Sequence, residues 1–172
     1  MNDRLKTTLT AWPAITAGAI ATCYLTKVAA ACMGIKLPDQ DQIELVRQYI
    51  GLNKVFVQLV VQIVAIIPAI EEAIFRFGLF KLPARFFKQR IPIAIASSAI
   101  FSFAHYIDYV KLLKYHQFEL LGWNDAFLAL FLFGLAQCWL YSKTDRIWCP
   151  ILNHALFNIT NLVILIVVSL FE

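Results

Sequence analysis

The sequence predicts an all-α membrane protein: a polytopic transmembrane helical bundle of about five spans, with short surface helices besides. Three observations predict it. Hydrophobic residues fill 60% of the 172 positions at a mean hydropathy of +0.70, more apolar surface than a soluble domain of this size can bury. The apolar residues form long runs separated by short polar connections. Charges inside those runs recur at helical spacing, as Glu72 and Arg76 do. One membrane domain covering 1–172 is expected, without a separate soluble unit.

Span one runs from about Thr8 to Met33, and its Ala, Thr and Gly content favours close helix packing in lipid. The start MNDRLK and the small residues Ala29 to Ala31 imitate a signal peptide, but the apolar run is too long and an uncleaved first span is expected. Gly34 to Asn53 is a polar connection in which Asp41 to Tyr49 reads as a short surface helix. Span two covers about Lys54 to Phe80, with Pro68 expected to bend it. Lys81 to Arg90 joins four cations with Leu82, Phe86 and Phe87, the composition of a turn in the headgroup layer. Span three is expected from Ile91 to Val110, its small residues Ala94, Ala96, Ser97, Ser98 and Ala99 suited to tight helix contact. Lys111 to Trp123 reads as a loop carrying a solvated His116. Span four runs from about Asn124 to Tyr141, and span five begins near Ile147 with Pro150 in its first turn.

Net charge is +4, spread over short loops, so it bears on topology and lipid contact and no nucleic-acid partner is expected. With the N-terminus inside, the inner loops take eight cations: Arg4, Lys6, Lys81, Arg85, Lys88, Arg90, Lys143 and Arg146. The outer loops take five, Lys36, Arg47, Lys54, Lys111 and Lys114, so the N-terminus is expected in the cytoplasm. Cys23, Cys32, Cys138 and Cys149 have no CxxC spacing and read as small core residues.

The chemistry concentrates in PAIEEAIFRFGLF, Pro68 to Phe80. A charge at membrane depth costs about 2.5–3.5 kcal/mol on insertion scales, so Glu71, Glu72 and Arg76 need compensation. Glu72 lies four residues before Arg76, on one helix face, which makes the two an expected buried ion pair. Glu71 points about 100° away and has no local cation. Either Glu71 faces a wet cavity and does chemistry, or the cluster is an interfacial helix end with its charges snorkelling to water. Span three adds His105, and span five adds His154 and Asn158, again four apart, with Asn161 beyond. A turn centred near Lys88 puts Glu71 and His105 fifteen and fourteen residues from their helix ends, hence level across a hairpin. His154 sits closer to its helix start, so either that hairpin protrudes or span five begins inside the membrane. Each polar residue alone also reads as helix-packing glue.

EEAIFR at 71–76, FSFAH at 101–105 and HALFN at 154–158 resemble the EExxxR, FxxxH and HxxxN signatures of the CAAX protease and bacteriocin-processing (CPBP, Abi) membrane proteases, which include the type II CAAX prenyl endopeptidases. The resemblance spans 68–161, the expected catalytic core; Phe77 intervenes where many relatives have glycine directly after the arginine. It implies an intramembrane endopeptidase with Glu71 as general base, His105 holding the attacking water, and His154 and Asn158 stabilising the oxyanion. Glu72 and Arg76 would support the site. The implied substrate is a membrane-associated protein or peptide, cut near its C-terminus or in a sorting or leader segment, in a bacterial inner membrane. No cofactor is expected. The main rival is a zinc protease with Glu71, His105 and His154 as ligands, although no HExxH is present. A proton-coupled transporter would also bury Glu, His and Arg, and a non-catalytic immunity-type membrane protein is the third rival.

Overall fold

The structure, a computed structural model, describes residues 2–37, 54–87, 89–169 and 171. The surface helix expected over Asp41 to Tyr49 lies outside them. Helix α1, Asp3–Cys32, starts at Asn2, whose side chain accepts from the Arg4 N–H at 3.1 Å. Thr7, Thr8, Thr10, Thr22 and Thr26 return their hydroxyls to carbonyls four residues back, so none is left unpaired in an apolar setting. The helix closes on Gly34, whose φ of +71° suits glycine. Ile35 N–H then reaches Ala30 O at 2.9 Å and Gly34 N–H reaches Ala31 O at 3.0 Å, which satisfies the last carbonyls.

Helix α2 is continuous over Lys54–Phe86, beyond the expected stop at Phe80, and is not uniformly α. It widens to π-helical turns over Gln62–Ile66 and again over Ala73–Lys81. The first widening abuts Pro68, which has no N–H to donate and is best accommodated where the ladder is already rearranged. At the second, Leu82 N–H donates to Phe77 O at 3.0 Å, so Pro83 falls at the start of a fresh turn and the helix continues.

Helix α3, Arg90–Ala104, stops six residues short of the expected Val110. At about 1.5 Å per residue it is roughly 22 Å long, less than a bilayer core of about 30 Å. The chain turns instead at residues 105–108, because Tyr106 and Asp108 join an antiparallel pairing with 119–121: Asp108 N–H to Glu119 O at 3.0 Å and Leu121 N–H to Tyr106 O at 2.8 Å. Within the stretch expected to be loop, α4, Tyr109–Tyr115, is capped by Asp108, and Ile107 bridges Leu120. Tyr106 stacks on Trp123 at 5.2 Å and donates to Asn124 at 2.6 Å. His116 is exposed. Helices α5, Ala126–Thr144, and α6, Trp148–Ser169, form the final hairpin.

Among the described residues four helices, α1, α2, α5 and α6, are long and apolar enough to cross a membrane, and α3 is a shorter apolar helix between them. The bundle packs α3 on α5 and on the second half of α2, with α1 across α5 and α6. Its core is Phe75, Phe101 and Phe133, joined by Ile15, Leu130 and Phe157. The small-residue face of α3 crosses α5 closely: a Cβ on Gly134 would lie 2.9 Å from Ser98 Cβ. Ser97 and Ser102 donate across helices to Phe75 O at 2.6 Å and Phe127 O at 2.7 Å. All four cysteines are free; Cys138 and Cys149 are buried as expected, whereas Cys32 is exposed.

Candidate active site

Pro68 begins the local account of the site. Ile67 N–H bonds five residues back to Gln62 O, and Pro68 has no N–H, so Ile63 O loses the partner the next rung would supply. Asn158 on α6 takes that place, its Nδ2 donating to Ile63 O at 2.8 Å. One turn later come Glu71 and Glu72. Glu72 and Arg76 are fully buried and in contact at 3.0 Å. Arg76 also lies 4.4 Å above the ring of Phe101, and its terminal nitrogens have no hydrogen-bond partner among the described residues. The ring face therefore takes over part of the stabilisation of the cation.

Glu71, His105 and His154 meet, although they come from three helical segments. Glu71 Oε1 is 3.7 Å from His105 Nε2 and Glu71 Oε2 is 3.6 Å from His154 Nε2. The Glu71 side chain is 22% exposed, the two imidazoles 17% and 5%, so the trio opens outward on the glutamate side. His105, expected on the α3 helix, sits in the turn just past its end and is still level with Glu71. His154 comes level with Glu71 although it lies early in α6, in a first stretch where Cys149, Pro150 and Asn153 are buried against the neighbouring helices.

The other ring nitrogens fix the tautomers. His105 Nδ1 lies 2.9 Å from Phe101 O, which only accepts, so Nδ1 carries the proton. His154 Nδ1 lies 2.9 Å from Glu72 Oε1, and there too the ring donates. A neutral imidazole in either place turns an Nε2 lone pair toward Glu71. The partners differ, though: His105 is oriented by a backbone dipole, His154 by a carboxylate that balances positive charge on the ring. His154 thus spans both glutamates, Glu72 through Nδ1 and Glu71 through Nε2.

The donor types are those zinc accepts. As placed, however, no group of three or more His, Cys, Asp or Glu among the described residues is arranged to hold a metal ion. Asn158 does not join the trio by hydrogen bond; one of its N–H groups is committed to Ile63 O, and Asn161 donates to Phe157 O within its own helix.

Several contributors lie outside the expected site. Phe101 touches Arg76, lies edge-on to His105 at 4.7 Å and stands 6.2 Å from His154. Its position four residues before His105 is the sequence signal for it. Phe133 packs on His154 at 5.0 Å. Gln137 and Asn153, fully buried with unpartnered amides among the described residues, are marked in the sequence only by being polar in apolar runs.

Comparison with known proteins returned one family, described as Rce1-like, type II CAAX prenyl endopeptidase Rce1-like, matched over residues 53–160. That range holds all three motifs. No curated protein and no solved structure matches the chain.

Proposed function

Because this chain belongs to the Rce1-like family of type II CAAX prenyl endopeptidases, we propose that it is a glutamic intramembrane endopeptidase whose general base is Glu71. It is an integral membrane protein, and we place it in a bacterial inner membrane. The observation that carries the reading is the approach of two Nε2 atoms to one carboxylate at 3.6 and 3.7 Å. Those separations exceed a direct hydrogen bond and suit a water that donates to Glu71 and to His105 Nε2 and accepts from Nε2–H of a charged His154.

In this reading Glu71 removes a proton from the water as its oxygen attacks the scissile carbonyl carbon. His105 Nε2 accepts the second water proton and aims the lone pair. His154 enters the reaction as an imidazolium, Nδ1–H on Glu72 and Nε2–H free to donate to the oxyanion of the tetrahedral intermediate, with Glu72 balancing the ring's charge throughout. The proton held by Glu71 passes to the leaving amine as the carbon–nitrogen bond breaks. Asn158 keeps α2 and α6 in register through Ile63, and its second N–H supports the oxyanion in substrate-bound geometry. The substrate is a membrane-associated protein or peptide cut near its C-terminus or in a sorting or leader segment.

The test is processing of a membrane-tethered reporter by Glu71→Gln, His105→Ala and His154→Ala proteins that insert and express normally. Glu71→Gln should lose at least about 10²-fold in rate, the lower range for a general base. Wild-type processing by Glu71→Gln would end the proposal. Activity retained in strong chelator is expected; loss that added zinc restores would replace this mechanism with the zinc-dependent one.

A further inference from the structure

At the end of the bundle where α2 meets α3 and α5 meets α6 lies a cavity of about 650 Å³, within the size range of small-molecule sites. Lys81, Arg85, Arg90, Tyr141, Ser142 and Asp145 line it in part. Three cations against one carboxylate leave it net positive by two charges. The carboxylate is already engaged: Lys81 pairs with Asp145 and lies 5.4 Å over the Tyr141 ring. Neither Arg85 nor Arg90 has an ion-pair partner among the described residues, so two exposed guanidinium forks border the cavity with no counter-charge among those residues.

The rim supplies an independent observation. Phe86, Phe87 and Ile91, between and beside the two arginines, are 83%, 64% and 75% exposed. Trp148, partly exposed, opens α6 at the same end. Exposed aromatic and aliphatic side chains interleaved with cations match an amphiphile, whose charged and apolar parts are covalently joined. A soluble anion would leave the rim uncovered. Arg4 and Arg146 are also close enough to contribute to the field at Asp145.

We propose that this cavity is a binding site for the phosphate of an anionic phospholipid, with Arg85 and Arg90 on the phosphate oxygens and Phe86, Phe87 and Ile91 among the acyl chains. Planar guanidinium groups suit a phosphate bidentately, and basic residues at a membrane surface recognise anionic headgroups. The site stands apart from the catalytic trio and does not depend on the proteolytic reading. Its consequence is mechanical: the α2–α3 hairpin, whose limbs lead to Glu71 and His105, is pinned at its turn to the headgroup layer.

The full chain, purified in mild detergent, would be incubated with phosphatidylglycerol or phosphatidylcholine and followed by native mass spectrometry and thermal unfolding. One phosphatidylglycerol should be retained in preference to phosphatidylcholine. Retention should fall about five-fold for each arginine removed, in Arg85→Gln and Arg90→Gln singly and together. Arg85→Lys/Arg90→Lys should keep part of the preference, because charge survives and the fork does not. Equal retention of both lipids by the wild-type protein would overturn the proposal, and this measurement does not require the variants to fold. An undiminished preference in the double glutamine variant would overturn it too. Inorganic phosphate stabilising the protein as well as the lipid does would assign the cavity to a small soluble anion and remove the lipid.

Discussion

Asn158 shows how one missing proton on the main chain propagates to another helix. Pro68 leaves Ile63 O without its rung, and Asn158 completes it at 2.8 Å. Asn158→Ala should therefore destabilise the protein by about 1 kcal/mol, the lower end of the cost of a carbonyl left unpaired, since this one is part-buried. Pro68→Ala returns a backbone N–H, so the pair Pro68→Ala/Asn158→Ala should lose clearly less than the sum of the two single changes. Thermal unfolding in detergent measures this coupling, and strict additivity would disprove the link. Arg76 invites a second experiment at this scale. It pairs with Glu72 and lies on Phe101, both fully buried. Arg76→Met should cost about 3–5 kcal/mol by stranding the carboxylate. Glu72→Gln/Arg76→Met should recover much of that stability without recovering activity, because the carboxylate that orients His154 is gone. If the double variant processed substrate normally, Glu72 would have no part in positioning.

Among the elements, α3 departs most from what its hydrophobic run suggests. The run continues to Val110, but the helix stops at Ala104 because the backbone of 106–108 pairs with 119–121. Hydropathy cannot register that competition, since the partner residues lie in a segment that looks like a loop. The same helix owes its place to small residues, and there the pattern was partly legible: Ser97 and Ser98 face neighbours as expected, Ser102 joins them, and Ala96 and Ala99 are exposed instead. The contact is tightest at Gly134. Gly134→Ala would put a methyl 2.9 Å from Ser98 Cβ, and overpacking of this kind costs about 1–3 kcal/mol. Adding Ser98→Gly should give part of it back, though the Ser98 Cα at 3.2 Å remains in the way. A Gly134→Ala protein as stable as wild type would mean that the α3–α5 crossing is looser than these distances imply.

Across the whole molecule, the N-terminus and the α2–α3 and α5–α6 turns share one end, where Arg4, Lys81 and Arg146 gather round Asp145. This agrees with the loop assignment behind the expected orientation. Asp145 is held below the ordinary carboxylate range, first by the hydrogen bond from Lys81 and then by its charge. A depressed acid stabilises the fold above its unfolded pKa, and that contribution is lost as pH falls through the folded value. Lys81→Met should therefore lower stability at neutral pH, by an amount that shrinks toward zero in acid. The exposed position of Asp145 makes the effect small. Unfolding of both proteins across that range is the measurement, and a gap that stays constant with pH would refute it.

The amino-acid sequence alone determined that the chain is helical, lives in lipid and carries EExxxR, FxxxH and HxxxN in order, because hydropathy and four-residue spacing are local properties. The level of Glu71 with His105 was also legible, since both count from one turn. Tertiary structure decided the rest: that His154, early in α6, comes level with Glu71, that Glu72 serves His154 as well as Arg76, and that Asn158 completes the rung Pro68 leaves open. Each of these depends on where separate helices cross, and crossing is set by side-chain volume and unpaired backbone groups, which no period in the sequence records.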